Sequence, residues 1–149
     1  MTLQERLGLE NQILIRDGMS QFQVYRRDAY YYLWGEQKTN SGNIYTVWIP
    51  IPSNYPYQRP EAYMYKPNPL YGYANLRTIN SYGLSHDMHT LENGPNGEVQ
   101  ICHWRSDRWH SGITLNKVML KVILWLEAYE QHLSSGQTIS QFMATMREL

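Results

Sequence analysis

The residues best suited to chemistry cluster around the chain's single cysteine, Cys102. Four of the five histidines lie near it in the sequence, namely His86, His89, His103 and His110. A cysteine thiolate is both a strong nucleophile and a good leaving group, and an imidazole can accept its proton near neutral pH. This combination predicts nucleophilic chemistry at Cys102.

The spacing of the histidines suggests two different assistants for the thiol. His103 adjoins Cys102 in the sequence and is the first choice. Neighbouring side chains of an extended segment point to opposite sides, however, so His89 is expected to lie closer in space. Asp107 is a further candidate, for orienting an incoming amine.

Two other readings of the same residues stay open. His86 and His89, together with Cys102 and His103, supply donors that suit zinc, although their spacing is not that of a known zinc finger. A hydrolase in which Cys102 and one histidine form a dyad is the other reading. Our prediction includes no metal and no cofactor.

The elements that must position these residues follow from the pattern of apolar side chains. Residues 2–15 read as a helix that opens with a capping box of Thr2 and Glu5. Alternating and aromatic runs predict four strands and a short extended run before Cys102, and a helical period returns after it. The predicted strands are residues 21–27, 30–37, 43–51 and 61–65, the extended run is 98–101, and the later helices are 114–133 and 139–147.

The order of the elements indicates an α+β fold with one domain over residues 1–149. A helix precedes a four-stranded antiparallel meander, and a long loop over residues 66–96 leads to Cys102 before the C-terminal helices. Tyr45, Val47, Ile49 and Ile51 are expected on the buried face of the third strand.

Three local stretches resemble the ubiquitin-conjugating enzyme family. Tyr55-Pro56-Tyr57-Gln58-Arg59-Pro60 is similar to its Tyr-Pro-aromatic-x-x-Pro turn, and Gly97 with Ile101-Cys102 is similar to its Gly-x-Ile-Cys run. Residues 109–120, which begin Trp-His-Ser-Gly-Ile-Thr-Leu, resemble the Trp-Ser-Pro-x-Leu-Thr-Ile stretch that opens the next helix. The resemblance covers nearly the whole chain and implies a ubiquitin-conjugating-enzyme-like fold.

The resemblance also implies a function. Cys102 would accept a ubiquitin-like modifier as a thioester from an activating enzyme and transfer it to an amine on a target protein. The family's His-Pro-Asn motif is missing here, and Asn93 is the nearest substitute for its asparagine. Residues 125–130, Trp-Leu-Glu-Ala-Tyr-Glu, resemble the bacterial branch, whose members occur in operons with modifiers and activating enzymes, often in antiviral defence.

The missing motif leaves a further alternative within the same fold, a non-catalytic module that binds a modifier. Retained modifier binding without thioester formation would identify it.

The composition of the chain limits the classes of partner that we expect. The chain has 149 residues and zero net charge, so nothing favours nucleic acid or an anionic membrane. The single cysteine suits a reducing cytoplasm, and no signal peptide or membrane-spanning run is expected. We expect a monomer, or a heteromer with the activating enzyme.

Overall fold

The computed structural model describes residues 1–84 and 86–147, with side chains through Met143. Helix α1 spans Leu3–Arg16 and begins with the predicted capping box. The backbone amide of Thr2 donates to the Glu5 carboxylate over 3.0 Å, and the Glu5 amide donates to the Thr2 hydroxyl over 3.1 Å. These two bonds satisfy amides that have no partner within the first turn.

An antiparallel sheet follows α1. Six strands pair in the order β1-β2-β3-β4-β6-β5, and together with the helices they make the fold α+β, as predicted. Their bounds are β1 Gln23–Arg27, β2 Tyr30–Lys38, β3 Ile44–Ile51, β4 Ala62–Lys66, β5 Thr90–Leu91 and β6 Val99–Ile101.

The predicted four-stranded antiparallel meander is present as β1–β4, but the sheet is larger than predicted, because β6 pairs with β4 and carries β5 as a new edge strand. A two-residue strand gives too short a pattern to be recognised in sequence. The predicted loop is also more ordered than expected, since it contains short 3-10 helices at Tyr73–Asn75 and Ile79–Tyr82.

The remaining helices lie where the helical period predicted them. Helix α2 spans Leu115–Ser135 and α3 spans Ile139–Arg147. Gly136 ends α2 in the left-handed conformation, at φ 78°, which glycine adopts without steric cost. No helix in the described ranges is long and apolar enough to cross a membrane.

The core lies between the sheet and α2. The predicted buried face of β3 is confirmed, since Tyr45, Val47, Ile49 and Ile51 are all buried. They belong to one apolar cluster with α2, and the Tyr45 ring meets Tyr129 of that helix edge-on at 6.0 Å. Ile101 of β6 belongs to the same cluster, so the packing of the core also fixes the position of Cys102, the next residue.

A buried carboxylate connects three parts of the chain. Glu10 of α1 is 1% exposed and accepts bonds from the Arg6 guanidinium at 3.0 Å and the Tyr55 hydroxyl at 2.5 Å. Its other oxygen accepts the Leu115 amide at 2.6 Å, which caps α2 where the Thr114 side chain makes no cap. Burial, reinforced by the Glu10 charge, raises the pKa of Tyr55 well above its ordinary value.

Candidate active site

Cys102 lies at the end of β6, directly after the buried Ile101, and its side chain is half-buried. Its backbone amide donates to the carbonyl oxygen of His89 over 2.9 Å, which continues the β5–β6 pairing by one residue. Cys102 therefore follows the end of a strand that lies between β4 and the edge strand β5. A cysteine in this position is accessible to a reacting group.

A cavity of about 830 Å³ opens beside Cys102. Its wall combines imidazoles, cationic side chains and apolar groups from the loop before β5, the segment after β6, and α2. The lining residues are Leu84, His86, His89, Thr90, Leu91, Cys102, His103, Trp104, Arg105, Arg108 and Lys121.

His89 occupies a special backbone position in this wall. Its φ is 50°, in the left-handed region that residues other than glycine seldom adopt. Its ring nitrogen Nε2 is 3.2 Å from the Ser140 hydroxyl of α3, and its ring lies 5.2 Å from that of His86. The expectation that His89 approaches Cys102 is matched by their backbone hydrogen bond and shared cavity.

His103, the first choice from sequence, is held elsewhere. It is 6% exposed, and its Nε2–H donates to the carbonyl oxygen of Pro60 over 2.7 Å. Burial lowers the pKa of His103 to about 4, so its ring is neutral at pH 7. In this tautomer Nδ1 carries the lone pair, and it has no hydrogen-bond partner.

No hydrogen bond joins the Cys102 thiol to a histidine ring among the described residues. His103 connects the cysteine segment to the proline-rich loop instead of facing the thiol as a bonded base. The structure therefore gives His103 a positioning role.

Asn93 lies apart from the cavity. It is exposed in the turn between β5 and β6, where the Gly94 amide bonds the Glu98 carbonyl at 2.9 Å. Because it follows β5 toward the far end of the hairpin, it stands about 10 Å or more from Cys102 along the strand direction. The structure therefore gives no geometric support to Asn93 as the substitute for the family's asparagine beside Cys102.

The other sequence candidates are also separated from the thiol. Asp107 is exposed and pairs with Arg105 at 2.9 Å, and it does not line the cavity. His110 is exposed, and its Nδ1 accepts the Gly112 amide at 3.1 Å. Of the histidines near Cys102 in sequence, His86, His89 and His103 share its cavity.

The four residues of the alternative zinc reading are not assembled into a site. Within residues 1–84 and 86–147, no three side chains of His, Cys, Asp or Glu are arranged to hold a metal ion. His103 is committed to the Pro60 carbonyl, which leaves the proposed set incomplete.

Several cavity residues escaped sequence reasoning. Lys121 interrupts the longest apolar run of α2, and its ammonium lies 3.8 Å from the centre of the Trp104 ring. Arg105 and Arg108 come from the loop after β6. Ser140 of α3 is outside the lining and contacts the His89 ring. Lys121 was the one detectable signal, because a charge within an apolar helical run must reach solvent or a cavity.

The proline-rich turn at residues 55–60 contacts Trp109 and the two residues that follow Cys102. The Trp109 indole donates to the Pro56 carbonyl at 2.9 Å, and the Arg59 guanidinium donates to the Trp104 carbonyl at 2.5 Å. With the bond from His103 to Pro60, these contacts fasten residues 55–60 to the chain that follows Cys102.

Comparison with protein-family models finds no match for this chain, and comparison with curated proteins finds no similar sequence.

Proposed function

We propose that this chain is a conjugating enzyme for a ubiquitin-like protein, which it holds as a thioester on Cys102 and transfers to an amine of a target. The single observation that carries the proposal is the position of Cys102 directly after β6 and beside a cavity, with its amide bonded to the His89 carbonyl. The resemblance adds a bacterial antiviral pathway and an activating enzyme as partner to the proposal.

The contacts among the resembling segments support this reading. A family-like proline turn would be expected to buttress the cysteine loop, and residues 55–60 bond residues 103, 104 and 109. The exposed Tyr57 stands on the outer side of that turn, where it is free to meet a partner protein.

The transfer consists of two successive nucleophilic attacks on the thioester carbonyl carbon of the modifier. The Cys102 thiolate attacks the thioester of the activating enzyme, whose sulfur leaves as a thiol after taking a proton. The target amine then attacks the new thioester, so that a C–N bond forms, the C–S bond breaks and Cys102 regains a proton. We assign to His89, which lines the same cavity as Cys102, the role of taking the proton from the amine.

The hydrolase reading has less support. A cysteine–histidine dyad requires the imidazole within hydrogen-bond reach of the thiol, and no such bond exists within the described part of the chain. The amide bond between Cys102 and His89 positions the two backbones without pairing their side chains.

The test captures the covalent adduct on residue 102 in the presence of the modifier and activating enzyme encoded by neighbouring genes; we call it the trap experiment. Parent protein, Cys102→Ser and Cys102→Ala are compared by intact mass spectrometry without reductant. We expect a thiol-labile adduct on the parent, an alkali-labile oxyester on Cys102→Ser and no adduct on Cys102→Ala.

An adduct that survives in Cys102→Ala, or none on the parent beside an active activating enzyme, would overturn the proposal. Retained modifier binding without any adduct would instead identify a binding module. Release of free acid in place of a conjugate would identify a hydrolase.

A further inference from the structure

The wall of the Cys102 cavity is charged unevenly. Arg105, Arg108 and Lys121 contribute cationic side chains, and no aspartate or glutamate of the described ranges lines it. The whole chain has no net charge. The positive excess is therefore a local property of this cavity.

The three cationic side chains differ in the neighbouring groups that offset their positive charge. Arg105 is exposed and pairs with the exposed Asp107 at 2.9 Å, and the Lys121 ammonium lies over the Trp104 ring. Arg108 is exposed, and within the described part of the chain its guanidinium makes no hydrogen bond or ion pair. Arg108 is thus available to an incoming acidic group.

Apolar contacts accompany the charge. Leu84 is 72% exposed at the cavity, and Leu91 of the edge strand lines the same wall. A surface that combines exposed leucine, an edge strand and an unpaired guanidinium fits a peptide better than a small ion.

We propose that the cavity selects an acidic peptide, namely the C-terminal segment of the modifier, with Asp or Glu side chains near the residue that is joined to Cys102. This inference rests on the proposed function, since that segment must enter the cavity for its carboxyl carbon to reach the thiol. Opposite charge steers such a segment toward Cys102 and disfavours a basic one.

The local field can be measured without any partner protein. The single cysteine of the parent is treated with two methanethiosulfonates, one sulfonate-bearing and one trimethylammonium-bearing. In each reaction the Cys102 thiolate forms a disulfide to the reagent's thioalkyl group and methanesulfinate leaves. The ratio of the two reaction rates, anionic over cationic, is compared with the same ratio for a neutral small thiol. We expect the ratio to be about fivefold higher for Cys102.

Charge variants assign the preference to the cavity. Arg108→Gln should reduce it and Arg108→Glu should abolish it, and the exposure of Arg108 makes both variants compatible with the fold. Arg27→Gln is the matched control, because it removes one charge from β1 at the opposite edge of the sheet. Equal reagent rates on the parent, or equal effects of the two glutamine variants, would overturn the inference.

Peptide thioesters of a neutral small thiol then test the segment itself. Two hexapeptides that end in glycine differ only in carrying two Glu or two Lys residues before it. The Cys102 thiolate attacks the carbonyl, a new C–S bond forms, and the small thiolate leaves and takes a proton. We expect the Glu peptide to load about fivefold faster by intact mass, with the order reversed in Arg108→Glu.

Failure of the acidic-segment inference and failure of the proposed carrier function would give different results. Equal loading of both peptides would overturn the acidic-segment inference and leave the carrier role of Cys102 standing. Absence of an adduct in the trap experiment would overturn the carrier role, while the reagent ratio would still report the charge around Cys102.

Discussion

The amide of Cys102 donates to the carbonyl oxygen of His89 over 2.9 Å, so the nucleophile and an imidazole-bearing residue are neighbours across the β5–β6 pair. Residues opposite each other in an antiparallel pair stay at a fixed short separation. The β5–β6 pairing thus holds the backbones of the two residues side by side.

Replacing His89 should separate loading from transfer. We expect His89→Asn, which tolerates the left-handed backbone, to slow amine transfer about 100-fold and to leave thioester formation nearly unchanged. Single-turnover discharge of the loaded enzyme to free lysine measures the effect. Asn93→Ala is the control, and a slower discharge in that variant than in His89→Asn would contradict the assignment.

His103 should make folding stability depend on pH. Its pKa of about 4 in the folded protein lies below its ordinary value of 6.5, so between these pH values only the unfolded chain binds the proton. Stability contributed by neutral His103 is therefore fully present above pH 6.5 and is lost as pH falls toward 4, by about 3 kcal/mol in all.

Urea unfolding of the parent and His103→Gln between pH 4 and pH 7.5 tests this expectation. The variant keeps an amide donor for the Pro60 carbonyl and lacks the titrating ring. A flatter pH dependence in the variant is expected, and identical slopes would refute the role of His103.

The Glu10 carboxylate should matter far more than its neighbour on the same helix. Glu10→Ala removes the acceptor of the Tyr55 hydroxyl and the Leu115 amide, and we expect a loss of about 3 kcal/mol. Glu5→Ala, at the exposed capping box, should cost much less, because water can replace the lost hydrogen bond. Free energies of unfolding in urea decide this, and equal losses would show that the Glu10 contacts contribute little.

Two glycines should respond oppositely to alanine. A Cβ at Gly35 of β2 would overlap the Gln21 carbonyl oxygen, so Gly35→Ala forces a backbone shift. We expect a loss of about 2 kcal/mol. Gly8 has nothing within 4 Å of the added Cβ, and Gly8→Ala within α1 should add about 0.5–1 kcal/mol. Thermal midpoints of the two variants measure the difference, and shifts in the same direction would contradict it.

Local pattern alone determined the larger elements. The capping box at Thr2 and Glu5 predicted the start of α1, and the alternation through β3 predicted its buried face. These features involve neighbours in sequence, where the periods of 2 and 3.6 residues decide which side chains share a face.

Tertiary structure decided the rest of the candidate site. The pairing of β5 with β6 brought His89 beside Cys102, and His103 is buried with a hydrogen bond to the Pro60 carbonyl. Arg108 and Lys121 of α2 line the same cavity. They lie in different elements, and no short sequence motif indicates that they share a site. Long-range pairing and burial assemble such sets, and their free energies depend on contacts between segments that no local period encodes.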